Sequence, residues 1–441
     1  MLKHKIIYIS ITVLMGVNAY AIPSFARQTG LSCAACHSVF PELTQTGRQF
    51  KLNGYVMGGG KHKMPLSAAI LVGMTSIGKS TYKTGAPVVV NSANQNKNNT
   101  YTIPQISIYY GGQIYSKIGA FIQLAYDGTL LPKNRSVITQ ISNSMTDIRY
   151  ANSFVIGHNT LHYGIALDNN PNLVDIYASS PGWSFPWASS AVAPSPAASI
   201  LIDGNLGGQV VGLTAYGLYD HLLYFEIGGY QSSYRQDILK SFGWAHDRSG
   251  SPRVHGTAPY ARIALQQYFG NSFAMIGAYG MTTQFSQDGT NSLDTYRDWA
   301  IDSEYQYIHG KNIITATATG MWENTSLNGS KQLGLVSNTN DMLTTIKAKV
   351  GYYYEHTYGA SLGYQDTYGT ADAKRYGTYG NLTPNSSLEI AQLNYLPLEN
   401  IKFTIQYTMY NKFNGATNNY NGHGRNAADN NTLYLLGWFM F

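Results

Sequence analysis

The stretch Ile401-Lys402-Phe403-Thr404-Ile405-Gln406-Tyr407-Thr408-Met409-Tyr410 decides the fold. A large apolar or aromatic residue occupies each odd position, and a polar residue or tyrosine occupies each even position. Successive side chains of a β-strand point to opposite faces, so this pattern predicts a strand with one apolar face. Runs with the same period of two lie at 113–126, 222–230, 260–268, 273–281 and 358–364. Tight polar turns such as Asp220-His221 and Gly270-Asn271 join neighbouring runs, which predicts an up-and-down antiparallel sheet.

The composition indicates which kind of sheet this is. Only 12% of the residues are charged, while 13% are aromatic and the chain has 36 tyrosines. This charged fraction is about half that of an ordinary soluble domain, and no segment after the N-terminal leader is a candidate membrane helix. A transmembrane β-barrel has such a composition, because its apolar outer face lies in lipid and polar residues line its lumen. The alternative, a soluble β-sandwich, has shorter strands and a more highly charged surface.

The C-terminus favours the barrel. Leu433, Leu435, Gly437 and Phe439 alternate along a final strand, and the chain ends on Phe441, as is common for outer-membrane barrels. At roughly 22–27 residues per pass, residues 66–441 suffice for about 14 to 16 strands, and we expect 16. The sequence thus predicts an all-β protein, a transmembrane antiparallel β-barrel of the bacterial outer membrane, with both chain termini of the barrel on the periplasmic side.

Two stretches interrupt the alternating pattern. Asn91–Thr100 is rich in asparagine and is expected to be an extracellular loop. Residues 168–204 contain Asn169-Asn170-Pro171 and a segment rich in Trp, Phe and Pro. Because long loops in compact proteins are usually functional or disordered, we expect this loop to fold over or into the barrel. The alternative is an adhesive surface loop.

The first 21 residues read as a secretory signal. Lys3 and Lys5 provide a basic start, Ile6–Val17 is apolar, and Ala19-Tyr20-Ala21 is a small-x-small cleavage site. The apolar run is shorter than the about 20 residues of a membrane anchor. The formal net charge of +6 is too small to indicate a nucleic-acid partner.

Cys33-Ala34-Ala35-Cys36-His37 is the attachment motif of a c-type haem. The two thiols add to the haem vinyl groups, and the histidine that follows is the proximal iron ligand. The alternatives are a redox dithiol, half of a zinc site or a disulfide. Cys33 and Cys36 are the only cysteines of the chain, so a zinc site lacks its second Cys pair. We therefore expect one covalent haem c as the cofactor.

Residues 22–65 form a small haem segment before the barrel. Pro41 predicts a helix start, Gly54 a helix stop, and Gly58–Gly60 a flexible linker. One helix face is expected to carry Leu43, Gly47, Phe50 and Lys51. Because chains of about 40 residues seldom fold alone, the segment needs its haem and a wall from the barrel. We expect it at the periplasmic mouth or inside the lumen.

The sixth ligand of the iron has three candidates. Met57 follows the end of the predicted helix and is the first choice; Met64 and His62 lie shortly after it. A thioether raises the potential of a haem, whereas a second imidazole lowers it. The alternative for Met57 and Met64 is an ordinary apolar contact. His62 lies between Lys61 and Lys63 and also fits a solvated linker.

The chain resembles a known family, the outer-membrane cytochrome–porin fusions of iron-oxidising bacteria, in which a monohaem c-type cytochrome precedes a porin-like barrel. The resemblance covers the whole chain and is most specific in its first 60 residues. It rests on Pro23–Gly30, Cys33–His37, Gly47–Lys51 with Gly54-Tyr55, Asn169–Pro171 and Trp183–Pro186. It implies haem attachment at Cys33 and Cys36, ligation by His37, and Fe(II) as the electron donor.

The expected function is that of an iron-oxidising oxidoreductase. It takes electrons from extracellular Fe(II) and passes them through one haem to a periplasmic cytochrome c. No catalytic residue beyond the haem is needed, because an outer-sphere electron transfer requires no acid or base. Two alternatives remain: a porin or transport channel with the haem as a structural plug, and an electron conduit for a different donor.

Overall fold

A computed structural model of the chain describes residues 23–57, 64–79, 99–126, 141–172, 175–177, 188–232, 253–377 and 381–441. Several predicted features lie outside the described residues. These are the signal sequence 1–21, the Gly58–Gly60 linker, His62, residues 91–98 of the asparagine-rich loop, and Trp183–Pro186.

The described part of the chain is dominated by strands, which form one sheet. The strands are β1 (Leu66–Ile77), β2 (Thr100–Tyr115), β3 (Ile118–Tyr126), β4 (Ile141–Ile156), β5 (Asn159–Asp168), β6 (Val210–Tyr219), β7 (Leu223–Ser232), β8 (Arg253–Val254), β9 (Ala258–Phe269), β10 (Ser272–Ser286), β11 (Leu293–His309), β12 (Asn312–Leu327), β13 (Asn340–Tyr354), β14 (Tyr358–Gly369), β15 (Ser386–Leu398), β16 (Ile401–Lys412) and β17 (Thr432–Met440).

The sheet closes into a barrel. Each long strand pairs antiparallel with its neighbours in the chain, and β1 pairs with both β2 and β17. The two-residue β8 only pairs with the end of β10, so sixteen strands build the wall. The prediction of an all-β antiparallel barrel of 16 strands is confirmed.

The apolar side chains of β16 face outward and its polar side chains face the interior, which is the reverse of the arrangement in a soluble protein. Phe403, Ile405 and Tyr407 are exposed on the outside, whereas Lys402 and Gln406 are buried on the inside. An apolar outer face with a polar interior is stable only when lipid surrounds the barrel. The fold is therefore that of a bacterial outer-membrane barrel.

The two ends of the barrel differ in the length of their connections. Two-residue turns such as Asp220-His221, with φ angles of 52° and 56°, lie at the same end as the Ala69↔Met440 pair of β1 and β17. Long connections lie at the other end. In outer-membrane barrels the short turns face the periplasm, so the N-terminal segment (residues 23–57) enters from the periplasmic end.

One predicted strand is wrong. The run 113–126 is not a single strand, because β2 ends at Tyr115 and β3 begins at Ile118. A tight turn at Ser116-Lys117 separates them, with Ser116 at φ 45°. A turn of two residues keeps the period of two in phase on both sides, so the alternation does not reveal it.

Short helices complete the described residues. In the N-terminal segment they are α1 (Pro23–Thr29), α2 (Cys33–Cys36) and α3 (Gln45–Leu52). The connections at the other end contain α4 (Asn328–Gln332), α5 (Ala373–Tyr376), an irregular turn (Leu201–Asn205) and a 3₁₀ turn (Ala427–Asn430). Among the described helices, each is too short or too polar to cross a bilayer.

Residues 188–205, which we term the crossing segment, fold into the barrel as expected for the long loop. Ser190 Oγ lies 2.6 Å from Thr75 Oγ1 on β1. At its other end, the amide of Ile202 donates to Asp298 on β11 over 2.9 Å. Ile200 and Ile202 are buried in an apolar cluster with residues of the opposite wall. The segment thus crosses the lumen.

Candidate functional site

Residues 23–57, which we term the N-terminal segment, also lie inside the barrel. The Arg48 guanidinium on α3 is 3.1 Å from the carboxylate of Glu304 on β11. On the far side of the lumen, Tyr55 donates its hydroxyl to Asp147 on β4 over 2.6 Å. Because these partners lie on different sides of the wall, the N-terminal segment spans the lumen.

Residues 33–43 of this segment are bound to strands β13 to β17. The amide of Cys33 donates to Glu399 over 2.9 Å, and Lys402 Nζ donates to the carbonyl of Phe40, also over 2.9 Å. The Phe40 ring packs edge-on against Trp438, with 5.3 Å between the ring centroids. The Cys33–His37 motif is therefore packed against this side of the barrel wall.

The opposite side of the segment is bound to β2, β3 and β4. The Gln28 side chain accepts from the amide of Gln113 over 2.8 Å and donates to the carbonyl of Tyr55 over 2.7 Å. A Cβ atom at Gly119 would lie 2.2 Å from the carbonyl oxygen of Gly54. Only glycine allows this approach, so the end of α3 is seated directly on the wall.

The helix of the segment begins later than predicted. Pro41 does not start a helix; it lies in a turn that brings Leu43 back to pair with His37. Thr44 is the N-cap instead, because its hydroxyl accepts from the amide of Gly47 and donates to the carbonyl of Ala35. Gly54 ends the helix as predicted, with φ at 65°.

A cavity of about 550 Å³ lies between the N-terminal segment, the wall and the crossing segment. This volume is within the range of small-molecule and cofactor sites. Its lining includes Cys33, Cys36 and His37. Gly47, Phe50 and Lys51 of the predicted helix face also line it, and so does Leu43, which precedes the helix and does not belong to it. Aromatic side chains supply much of the rest: Phe25, Phe40, Tyr55, Tyr109, Phe121 and Trp438.

His37 is held in one orientation. Its Nδ1 donates to the carbonyl oxygen of Glu42 over 3.2 Å. Burial lowers the pKa of His37 to about 4, so the ring is neutral at ordinary pH. With the proton on Nδ1, the lone pair of Nε2 is available, and a backbone carbonyl is a common partner for a metal-ligating histidine.

No disulfide joins the two cysteines in the described part of the chain. They lie at the two ends of the single-turn helix α2, with Cys33 buried and Cys36 half-buried. Burial raises the pKa of the Cys36 thiol. Two thiols one turn apart beside a cavity lined by aromatic side chains, followed by an oriented neutral imidazole, fit a covalent haem c.

The candidates for the sixth ligand are spread over different environments. Met57 is partly buried against the aromatic cluster that contains Phe50 and Phe121, but it does not line the cavity. The Met64 side chain is 63% exposed, and His62 lies outside the described residues. Neither Met57 nor Met64 thus lies on the cavity wall.

Sequence reasoning missed two methionines of the barrel wall. Met145 on β4 and Met440 on β17 both line the cavity. They lie more than a hundred residues from the haem motif, so no local pattern joins them to it. The sequence indicates only that both methionines occupy strand positions whose side chains alternate toward the lumen.

Comparisons with known proteins add similarity to porins. No family model matches the chain, and no curated protein matches it. A Salmonella typhi OmpF structure is 12% identical with a TM-score of 0.47, covering 85% of this chain and 97% of that one. The outer-membrane channel DcaP of Acinetobacter baumannii is 12% identical with a TM-score of 0.47, covering 85% of this chain and 96% of that one. An anion-selective porin from Comamonas acidovorans is 9% identical with a TM-score of 0.45, covering 85% of this chain and 98% of that one.

At such similarity the class of the protein rests on its own sheet. The closed antiparallel barrel with an apolar exterior defines a porin-like outer-membrane β-barrel. Its lumen holds the N-terminal segment.

Proposed function

We propose that the chain is an outer-membrane monohaem cytochrome–porin fusion that oxidises extracellular Fe(II). In this proposal Cys33 and Cys36 attach one haem c, and His37 is its proximal ligand. The electrons pass to a periplasmic cytochrome c. The observation that carries the proposal is the location of all three residues on the wall of one aromatic cavity inside a membrane-spanning barrel.

The residues around the cavity have defined tasks in this function. The carbonyl of Glu42 orients the His37 ring. Phe25, Tyr109 and Phe121 supply an apolar wall that limits the access of water. Bound at the two cysteines, the haem supplies a one-electron iron couple.

The location of the cavity suits electron transfer across the membrane. The N-terminal segment reaches from the short-turn end into the lumen, and the crossing segment lies on its outer side. Electron tunnelling falls steeply with distance, so in this proposal one haem inside the lumen lies between the donor outside and the acceptor in the periplasm. Fe(III) precipitates near neutral pH, and a cell benefits when this product forms outside. The resemblance to iron-oxidising cytochrome–porins supports Fe(II) as the donor.

The main alternative is a porin or transport channel with the haem as a structural plug. Two parts of the chain fill described regions of the lumen: the N-terminal segment at the short-turn end and the crossing segment beyond it. Arg48 and Glu304 add a buried ion pair between segment and wall. This filling favours the transfer of electrons over the passage of solutes. A different donor, such as a sulfur compound, is the other alternative.

The test uses the full-length protein, purified in detergent and fully oxidised. Mixing with Fe(II) without oxygen should reduce the haem rapidly, as followed by its visible spectrum. The Cys33→Ala/Cys36→Ala double variant is the matched control without covalent haem. Reduction by sulfide but not by Fe(II) would favour the alternative donor. Swelling of proteoliposomes in small solutes, without reduction by Fe(II), would favour the channel.

A further inference from the structure

The cavity has two sides, and different parts of the barrel hold them. Residues 33–43, which include His37, are bound to Glu399 in the turn before β16, to Lys402 on β16 and to Trp438 on β17. Glu42 also pairs with Lys349 on β13. The other side is formed by β2, β3 and β4, against which Phe25 packs, with 6.2 Å between its ring centroid and that of Phe121. β1 to β3 separate β17 from β4 around the wall. A side chain of β4 thus lies across the cavity from the strands that hold the histidine.

A β-bulge interrupts β4 at this place. Gln123 of β3 pairs with Met145, but the next residue, Leu124, pairs with Asn143. Ser144 is therefore the extra residue. Ser144 and Met145 both line the cavity, although consecutive residues of a regular strand point to opposite faces. Bulges of this kind re-aim side chains and are over-represented next to active sites.

The Met145 side chain has the chemistry that an iron porphyrin takes as a second axial ligand. It is partly buried and packs against the aromatic cluster that contains Cys33, Phe40 and Phe121. A thioether opposite a histidine stabilises the reduced iron and raises the potential. A high potential is what an acceptor of electrons from Fe(II) requires.

Resting on the haem attachment proposed above, we propose that Met145 of the barrel wall is the sixth ligand of the haem iron. The covalent segment then supplies one axial ligand, and strand β4 supplies the other. The barrel and the N-terminal segment are joined through the iron, so the haem is a structural link between them as well as the redox centre.

The other methionines fit this role less well. Met440 lines the cavity, but it lies on β17, among the strands that hold His37, and axial ligands stand on opposite faces of a porphyrin. Its side chain is only 3% exposed, so little of it faces the cavity. Met57 does not line the cavity, and the side chain of Met64 is 63% exposed.

The experiment compares Met145→Leu with the matched variants Met57→Leu and Met440→Leu in the full-length protein. Leucine keeps the volume of methionine nearly unchanged. Three properties are measured without Fe(II): the near-infrared band of methionine-ligated ferric haem, carbon monoxide binding after reduction with dithionite, and the midpoint potential. Peroxidase staining reports covalent haem, and heat-modifiable migration reports the folded barrel.

The expected result is specific to one variant. Met145→Leu should lose the band, bind carbon monoxide and shift to a lower potential, while the two control variants keep the wild-type values. A band that survives Met145→Leu overturns the inference, as does a band that disappears in Met57→Leu or is absent from the wild type. Should Met145→Leu fail to fold, Met145→His decides: a six-coordinate haem without the band and with a lower potential supports Met145, and an unchanged band overturns it. Peroxidase staining tests the proposed function separately from the ligand: if the wild-type protein carries no covalent haem, the proposed function is wrong.

Discussion

The Nδ1 atom of His37 lies 3.2 Å from the carbonyl oxygen of Glu42. The Glu42 carboxylate in turn pairs with Lys349 on β13. The orientation of the imidazole is thus tied through one residue to the barrel wall. This arrangement explains how so short a segment can keep the imidazole in one orientation: the rigid part is the barrel.

The first prediction concerns the two thiols. Cys33→Ala or Cys36→Ala should weaken or abolish covalent haem, while the barrel still inserts and folds, because no strand depends on either side chain. Peroxidase staining of denaturing gels measures the haem, and heat-modifiable migration measures the barrel. Wild-type staining in either variant would contradict haem attachment at that position.

The second prediction concerns the imidazole. His37→Ala should block the reduction of the haem by Fe(II), although some thioether-linked haem should persist, since both cysteines remain. The matched control is His309→Ala, which removes an exposed histidine of the short-turn rim whose ring contacts Asn271. Stopped-flow spectra with Fe(II) measure both. Equal rates in wild type and His37→Ala would exclude His37 as the proximal ligand.

The barrel was predictable from sequence because its signal is repeated along the chain. Alternation in runs such as 401–410 indicates a strand that is apolar on one side only, and the same pattern recurs in many strands. The turn at Ser116-Lys117 was missed because a two-residue turn preserves the alternation. The start of α3 was misplaced because Pro41 and Thr44 both resemble helix starts, and only the contact of Thr44 with Ala35 decides between them.

The candidate site was predictable only in its local part. Cys33, Cys36 and His37 carry their signal within five residues. The partners that complete the cavity, such as Met145 and Trp438, come from distant strands. Barrel closure and the bulge at Ser144 bring these side chains to the cavity, and neither can be predicted from the residues of the haem motif.

The third prediction concerns the contact between α2 and α3. A Cβ atom at Gly47 would lie 2.3 Å from the carbonyl oxygen of Cys36. Gly47→Ala should therefore push α3 away from the motif, at a cost of about 1–3 kcal/mol for overpacking. The variant should attach less haem per folded barrel. Gln45→Ala, at an exposed position of the same helix, is the control and should attach the wild-type amount. Equal staining of the two variants would show that α3 does not constrain the motif.

The last prediction concerns the ion pair between Arg48 and Glu304, which are only 2% and 7% exposed. Arg48 also donates to the carbonyl of Leu43 over 2.8 Å, so it joins the wall to the residue that pairs with His37. Arg48→Met leaves a buried carboxylate without its partner, which typically costs about 3–5 kcal/mol. Because the barrel strands have many other bonds, we expect this cost to appear as local opening of α3 and not as unfolding of the barrel. Hydrogen–deuterium exchange in detergent measures that opening.

Two further variants make this last measurement specific. Arg48→Met/Glu304→Gln removes both charges and should recover part of the protection of α3, since a neutral amide is less costly to bury than an unpaired carboxylate. Lys311→Met breaks the exposed pair with Glu355 at the short-turn rim and should leave exchange in α3 unchanged, because exposed ion pairs contribute little. If Arg48→Met exchanges like the wild type, the N-terminal segment is held in the lumen by its other contacts, and the anchoring role passes to Tyr55 and its bond to Asp147.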